Sequence, residues 1–409
     1  MSRVLVVSPW GWVWALEGGG GNPVLRNLYA SLVDAGYEVD VVAPGPGRHK
    51  DFAEFGPALR VHITKACRFS SSDHGNPAAV LGSRVATYLE LNARLRTVGR
   101  RVSRVSPPDL VVALSTNTVP AASLIASAVG APLVAQSFGT VFYEYLGSRI
   151  GRIGMFQDVL AFRFPVDHWL IHNDGTRGDR AAAILGVSPE RLSFWTHGID
   201  REACLQAAAL RTARATLGLQ AETPLIVSAC RLVPVKRVDR VIAAFRRVLE
   251  TVPEAVLAIS GEGPAEGDLR RQVREAGVEA SVRFTGALAR EDNLNLMASA
   301  SVFCAFGDQS NIGFTLAEAL TCGVAVVATD VGGTSEFVTD GVNGLLVPPD
   351  DVTASAEAIV RILKDPDLRK RLAAAAGERA EHDFPSEDER VSREIQLYER
   401  MIREAGSRH

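Results

Sequence analysis

Residues 224–252 read PLIVSACRLVPVKRVDRVIAAFRRVLETV. The first seven, PLIVSAC (224–230), form a short apolar run without alternation, the pattern of a strand buried on both faces. VDRVIAAFRRVLETV (238–252) then sets apolar residues at helical spacing with arginines between them, which is an amphipathic helix. AVLAISGEGP (255–264) is a second apolar run that ends in a glycine turn. Strand, loop, helix and strand in that order build a parallel sheet. The alternation goes on through DLRRQVREAG (268–277), a helix stopped by Gly277, and through SVRFTGAL (281–288), SVFCAF (301–306), AVVATD (325–330) and GLLVPP (344–349), all read as strands.

The first half repeats the pattern. RVLVVSP (3–9), EVDVVAP (38–44), DLVVAL (109–114), PLVAQS (132–137), DHWLIHN (167–173) and RLSFWTHG (191–198) are strands. NPVLRNLYASLVDAG (22–36), AASLIASAVG (121–130) and RGDRAAAILG (177–186) are helices between them. The expected architecture is α/β: two facing Rossmann-like domains, 1–200 and 201–384, with an interdomain cleft and a hinge in the gap 199–222. DERVSREIQLYERMIREAG (388–406) is a long helix in a final segment, 385–409. Ligands of such sheets sit beyond the carboxyl ends of the strands, so the loops there carry the chemistry.

Composition narrows the classes. The 409 residues are 47% hydrophobic, a globular composition long enough for two or three domains. The net charge of -3 gives no reason to expect nucleic acid. Only Lys50, Lys65, Lys236, Lys364 and Lys370 are lysines. The five cysteines, at 67, 204, 230, 304 and 322, form no CxxC pair, which suits buried thiols in a reducing compartment. His49, His62, His74 and His172 lack metal-ligand spacing, and no run reaches the length needed to span a bilayer. The expectation is a cytoplasmic protein without a transmembrane segment, monomeric or homodimeric.

Five strand-end loops are candidates. EGGGGN (17–22) lies just before the first helix, where glycines let the backbone approach a ligand and helix amides favour phosphate. It reads equally as a flexible turn. It is neither a dinucleotide fingerprint, because PWGWVWALE (9–17) separates it from the strand, nor a Walker loop, lacking GKS or GKT. CRLVPVKR (230–237) sets Arg231 and Lys236 around an apolar turn, able to offset the charges of a diphosphate or to stand as solvated charges. GEGP (261–264) is a further glycine turn. In SNIGFTLAEALTCG (310–323), Gly313 precedes a helix that carries Glu318, a carboxylate able to accept from vicinal hydroxyls or simply to begin an exposed face. VGGTSEF (331–337) adds two glycines and Glu336. A diphosphate, a ribose and something reactive beyond them make a nucleotide sugar.

At these residues the chain resembles the retaining glycosyltransferases of family 4, which have the GT-B fold. The resemblance rests on GGGGNPVLRNLYASLVDAGYEV (18–39), HGID (197–200), CRLVPVKRVDRVIAAF (230–245), GEGP (261–264), VRFTGAL (282–288) and GFTLAEALTCGVAVVATDVGGTSEFVTDGVNGLLVPPDD (313–351). It implies that Gly19 and Gly20 abut the donor phosphates and that Arg231 and Lys236 bind the diphosphate as the catalytic cations. Gly263 and the stretch Ser310, Asn311, Ile312, Gly313, Phe314 and Thr315 fall on the donor side. Glu318 looks like the second glutamate of the E-x7-E motif, which holds the ribose. The C-terminal helix is implied to cross back onto the first domain. Two positions depart from the pattern. The first glutamate of the motif, which contacts donor-sugar hydroxyls, is Ser310 here, leaving Asp308 or the Ser310 hydroxyl to take over, or the donor to carry fewer or differently placed hydroxyls. Many members carry a histidine before a glycine in the first domain, whereas QSFGTVF (136–142) has Phe138 before Gly139.

The implied activity is transfer of a sugar from a UDP- or GDP-sugar, with retention, to a hydroxyl or other nucleophile of a small-molecule, saccharide or lipid acceptor. No cofactor or divalent metal is required if the two cations neutralise the leaving group. For the acceptor, Trp12 and Trp14 offer aromatic faces, Phe138, Gly139 and Thr140 lie at a strand end, and KACRFSSSDHGN (65–76) reads as an acceptor loop. A GT-B sugar-nucleotide epimerase or hydrolase is the alternative, and a dehydrogenase is disfavoured by the missing GxGxxG. Ser310→Glu is expected to move donor-sugar preference in a panel of nucleotide sugars; an unmoved preference makes Ser310 a neutral replacement.

Overall fold

The computed structural model describes residues 1–10, 23–45, 53–65, 76–310 and 312–407. The chain separates into two compact units: Met1–Asn173 with Arg177–Trp195 and Asp388–His409, and Asp174–Thr176 with Thr196–Glu387.

The first unit contains strands β1 (Arg3–Val7), β2 (Glu38–Pro44), β3 (Leu59–Thr64), β4 (Leu110–Leu114), β5 (Leu133–Ser137), β6 (His168–His172) and β7 (Leu192–Trp195). Its helices are α1 (Pro23–Asp34), α2 (Pro77–Val105), α3 (Val119–Val129), α4 (Arg149–Gly154), α5 (Phe156–Ala161) and α6 (Gly178–Ile184). The strands pair in parallel in the order β3-β2-β1-β4-β5-β6-β7. β4, β5 and β6 are buried at every residue, as continuous apolar runs between two helical layers must be. One face packs on Leu28 and Leu32 of α1, the other on Leu95 and Val102 of α2 and Ile125 of α3.

α2 is not among the elements expected from the sequence. Its 29 residues carry Leu81, Val85, Tyr88, Leu95 and Val102 on a helical repeat, and Asn76 caps its start by accepting from Ala78 N at 3.0 Å. Five arginines between these positions, and Arg104 beyond them, blur the apolar stripe.

The second unit starts with α7 (Arg201–Leu210) and α8 (Ala213–Thr216), followed by β8 (Leu225–Ala229), α9 (Val238–Leu249), β9 (Val256–Ser260), α10 (Glu266–Glu275), β10 (Val282–Gly286) and α11 (Arg290–Ala298). It goes on with β11 (Val302–Ala305), α12 (Phe314–Thr321), β12 (Val326–Thr329), α13 (Thr334–Phe337), β13 (Leu345–Val347), α14 (Val352–Lys364) and α15 (Pro366–Asp383). The strands pair in parallel in the order β10-β9-β8-β11-β12-β13. Most of the stretch expected to be a hinge, 199–222, is instead helical. Asp200 caps α7 by accepting from Ala203 N at 3.0 Å, and Cys204 and Ala207 are buried in the core of this unit. Alanines in REACLQAAAL explain why that stretch folds as a helix. The glycine and proline signals of a linker are absent from it.

The chain ends in α16 (Glu387–Gly406), whose Val391, Leu397, Tyr398 and Met401 complete the α1 side of the first core. Arg390 and Glu394, one turn apart, form a salt bridge with no solvent exposure on either side chain. Gln136 Nε2 donates to Glu394 Oε2 at 3.4 Å, and burial pushes the carboxyl's pKa up. Removing one partner of such a pair strands a charge in the core. Arg390→Met is therefore expected to destabilise the chain by about 3–5 kcal/mol, read from urea unfolding. A loss below about 1 kcal/mol would show that the pair contributes nothing net.

Candidate functional site

The strand order of the second unit reverses between β8 and β11: the chain runs outward from β8 to β9 and β10, then returns to β11 and proceeds the other way. Loops leaving two adjacent strands in opposite directions open a crevice at the carboxyl end of the sheet, where open α/β sheets take their ligands. The loop after β8 carries Arg231 and Lys236. The loop after β11 carries Asp308, Ser310, Ile312 and Gly313 and runs into α12. The backbone joins the two loops, Asp308 N donating to Val235 O at 3.0 Å.

Arg231 is exposed and Lys236 half-buried at the end of a tight turn, Pro234–Lys236. Arg237 follows with φ +49°, a left-handed conformation that costs an L-residue roughly 1–2 kcal/mol. Its guanidinium pairs with Asp239 at 2.9 Å and Asp308 at 3.2 Å. Arg240, almost fully buried, holds Asp308 at 2.7 Å, Phe306 O at 3.1 Å and also Asp350. Asp308, one of the two groups expected to stand in for a missing glutamate, is thus committed to two arginines.

The GEGP turn lies directly behind this loop. Leu232 N donates to Glu262 O at 2.9 Å and Cys230 N to Ser260 O at 3.0 Å. A Cβ on Gly261, where φ is +126°, would stand 1.9 Å from Cys230 O, and one on Gly263 2.3 Å from Leu232 O. Both glycines permit this close backbone approach, which is the packing role the structure gives Gly263. Burial pushes the Cys230 thiol up to about 11, with Lys236 and Arg231 pulling the other way.

Gly313 precedes α12 without any side-chain cap, so the amides of Phe314, Thr315 and Leu316 lack intrahelical acceptors. Ile312 turns its side chain into the core, and the Phe314 ring packs on His197 at 4.7 Å between centroids. Glu318, one turn further on, is only 7% exposed, which excludes the exposed-face reading. Its Oε1 lies 3.5 Å from Arg290 Nη2. Burial pushes its carboxyl up to about 7; Arg290 pulls down, while Asp200 and Glu387 push up further. Arg290, at the start of α11, gave no signal in the sequence.

Ser310 Oγ donates to Asp174 O at 2.6 Å and accepts from Ile312 N at 3.2 Å. The Asp174 carboxylate accepts from Thr176 Oγ1 at 2.5 Å and Thr176 N at 3.1 Å. Gly333 N donates to Gly175 O at 2.6 Å. A Cβ on Gly175 would stand 2.4 Å from Ser310 Oγ, and one on Gly332 2.2 Å from Gln309 O. Three backbone segments therefore meet around Ser310 with no room for side chains. Burial pushes Asp174 up to about 6, against bonds from Thr176 and the positive charge of Lys236. Asp174 went unmarked in the sequence because it falls between a strand and a helix; the signal available was the glycine after it.

In the first unit, the Phe138 ring stacks on His172 at 5.0 Å and a 3° interplanar angle, and Ser137 Oγ donates to Gly139 O at 2.7 Å. Thr140 is fully buried, its Oγ1 3.2 Å from where a Cβ on Gly178 would stand, so its side chain offers no surface to an acceptor. Gly19, Gly20, Asn311, Trp12 and Trp14 lie outside the described residues, as does most of 65–76. Cys204, Cys230, Cys304 and Cys322 are free thiols. Among the described residues no three His, Cys, Asp or Glu side chains converge as a metal site, and no helix is long and apolar enough to cross a membrane.

Comparison with known proteins bears on both units. Residues 19–194 match a family model for a glycosyl transferase 4-like domain, and residues 211–379 one for glycosyl transferases group 1. The D-inositol 3-phosphate glycosyltransferase of Kribbella flavida is 32% identical over 224 residues, 52% of each chain. A GDP-mannose-dependent monoacylated alpha-(1-6)-phosphatidylinositol monomannoside mannosyltransferase of Corynebacterium glutamicum is 36% identical over 171 residues, 40% of this chain and 44% of that protein. The chain thus spans about half the length of these two curated relatives. Glycogen synthase of Mycobacterium tuberculosis is 28% identical over 395 residues, 93% of this chain and 91% of that one. Among solved structures, sucrose-phosphate synthase from Thermosynechococcus elongatus superposes with a TM-score of 0.77 at 20% identity, covering 98% and 99% of the two chains. Anabaena Alr3699/HepE in complex with UDP and glucose gives 0.71 at 20% identity, covering 97% and 99%. Two parallel sheets, a switch-point site and a match in each half agree: the chain has the GT-B fold, its second half matching the group 1 glycosyl transferases and its first half a glycosyl transferase 4-like domain.

Proposed function

We propose that the chain transfers a sugar from a UDP- or GDP-sugar to a nucleophile, most simply a hydroxyl, of a small-molecule, saccharide or lipid acceptor, with retention at the anomeric carbon. The observation that carries this reading is the placement of Arg231 and Lys236 on the loop after β8 and of the uncapped start of α12, which bears Glu318, after β11, the two adjacent strands of one topological switch point. In this reading the cations take the diphosphate, the amides of Phe314 and Thr315 add donors to it, and Glu318 accepts from the ribose hydroxyls. The bond from C1 to the β-phosphate oxygen breaks and a bond from C1 to the acceptor oxygen forms on the same face. The acceptor proton passes to the departing phosphate. Charge grows on that phosphate in the transition state, so Arg231 and Lys236 stabilise it more than the ground state. The reaction then needs no metal ion. The relatives named above are transferases or synthases by name, which supports transfer over the epimerase or hydrolase alternative, and one neighbour was solved with UDP and glucose, which supports a sugar nucleotide as donor.

Lys236→Ala is expected to lower kcat by about 100-fold or more with the circular dichroism spectrum unchanged. Near-normal turnover in that variant would sink the assignment.

Glu318 gives a pH dependence. Its folded pKa, about 7, lies above its unfolded value, so its protonation stabilises the fold fully below the unfolded pKa, and that contribution is lost as pH rises through about 7. Ribose binding has the opposite sign, because the ionised carboxylate is the better acceptor. Affinity for an intact sugar nucleotide, whose phosphates do not titrate in this range, is expected to rise about tenfold from pH 6 to 8. Glu318→Gln should flatten the profile. Calorimetry across that range checks it, and a flat profile in the parent chain overturns the ribose role.

A further inference from the structure

We propose that the Asp174 carboxylate reads the hydroxyls of the transferred sugar, and this rests on the donor site proposed above. Asp174 adjoins the loop that runs from β11 into α12. Glu318, on α12, lies at the ribose end of that site, and Lys236 at the diphosphate. The sugar hangs from the diphosphate on the side away from the ribose. Asp174 feels the charge of Lys236, and its carbonyl is bonded to Ser310 at 2.6 Å. Ser310 itself is spent, donating to Asp174 O and accepting from Ile312 N. Asp308 is spent on Arg237 and Arg240. Unlike Asp308 and Glu318, Asp174 has no arginine partner among the described residues.

The competing account is structural. Asp174 Oδ1 accepts from the amide two residues on, Thr176 N, which is an Asx turn. An asparagine makes that turn equally well. Bonds from Ser310 Oγ and Gly333 N to the backbone carbonyls of Asp174 and Gly175 hold the segment to its neighbours. A half-buried negative charge is costly unless something needs it. Sugar hydroxyls, donating to a carboxylate held fixed by Thr176, meet that need.

Asp174→Asn keeps the turn and removes the charge, and it separates the two accounts. Binding of UDP, GDP and their gluco-, galacto- and manno-sugars would be measured by calorimetry for parent and variant. The variant should bind the free nucleoside diphosphate as well as the parent or slightly better, Lys236 being freed of its neighbour. Its affinity for the preferred sugar nucleotide should fall about tenfold or more, and the preference between sugar epimers should shrink by a similar factor. Thr176→Val, which leaves the charge but loosens it, should show a smaller loss of the same kind. An unchanged epimer preference in Asp174→Asn reduces the carboxylate to its turn and overturns the proposal. An equal loss for free nucleotide and sugar nucleotide overturns it too, because the group then acts on the phosphates. If the parent binds neither nucleotide nor sugar nucleotide, the donor site itself is wrong and this inference falls with it.

Discussion

The reversal of strand order between β8 and β11 is the constraint on which the second unit's chemistry depends. Parallel strands all point their carboxyl ends one way, so every strand-end loop rises on the same edge. Only where the chain changes direction do neighbouring loops part and leave a crevice. Here the parting loops stay joined at one point, Asp308 N to Val235 O, and the arginines at 237 and 240 clamp Asp308 from below. That clamp fixes the turn bearing Lys236 relative to the approach to α12. A cation pair and a helix start that would otherwise sit on independent loops become one rigid edge, the preorganisation that electrostatic catalysis requires.

Glycine works at the same edge by a different route. The GEGP turn and the CRLV loop run with backbones in contact, and a Cβ on Gly261 or Gly263 would overlap a carbonyl oxygen. The Gly175, Gly332 and Gly333 segments do the same around Ser310. These glycines bring backbone to backbone, so that the polar side chains of the edge are held by packed chain. The sequence marked GEGP and VGGTSEF as glycine turns near a ligand. The structure shows why glycines stand there.

Much of the fold was readable because its cause is local. Continuous apolar runs such as LIVSA and VLAIS can only be buried strands when helical patterns of 10–15 residues separate them. α2 escaped because arginine carries its exposed face so densely that the repeat of Leu81, Val85 and Tyr88 is diluted. The helices of 199–222 went unread because the stretch lacks strand character, although its alanines and the Asp200 cap are helix signals. Arg231, Lys236 and Glu318 were legible because residue type, strand end and helix start coincide in a few residues. Arg290 and Asp174 were not, since each gains its meaning from a partner far away in sequence: Glu318 for one, Ser310 and Lys236 for the other. Spacing along a chain carries no information about such pairs.

Two buried carboxylates and one half-buried one show how the same cost is met in different ways. Glu394 is paired fully with Arg390 inside the first core and serves packing there. Glu318 has one arginine at 3.5 Å and two further acids nearby, so it is held close to its titration point. Asp174 has a hydroxyl, an amide and a lysine that the proposed reaction assigns to the diphosphate. A fold that sought stability alone would pair or delete the last two. Leaving them short of partners costs folding free energy and keeps acceptor capacity for a ligand rich in hydroxyls. In the proposed reaction that division is also kinetic. Hydroxyl contacts to Glu318 and Asp174 are present equally before and during bond breaking, and so bind and select. Contacts from Arg231 and Lys236 strengthen as charge reaches the leaving phosphate, and so accelerate.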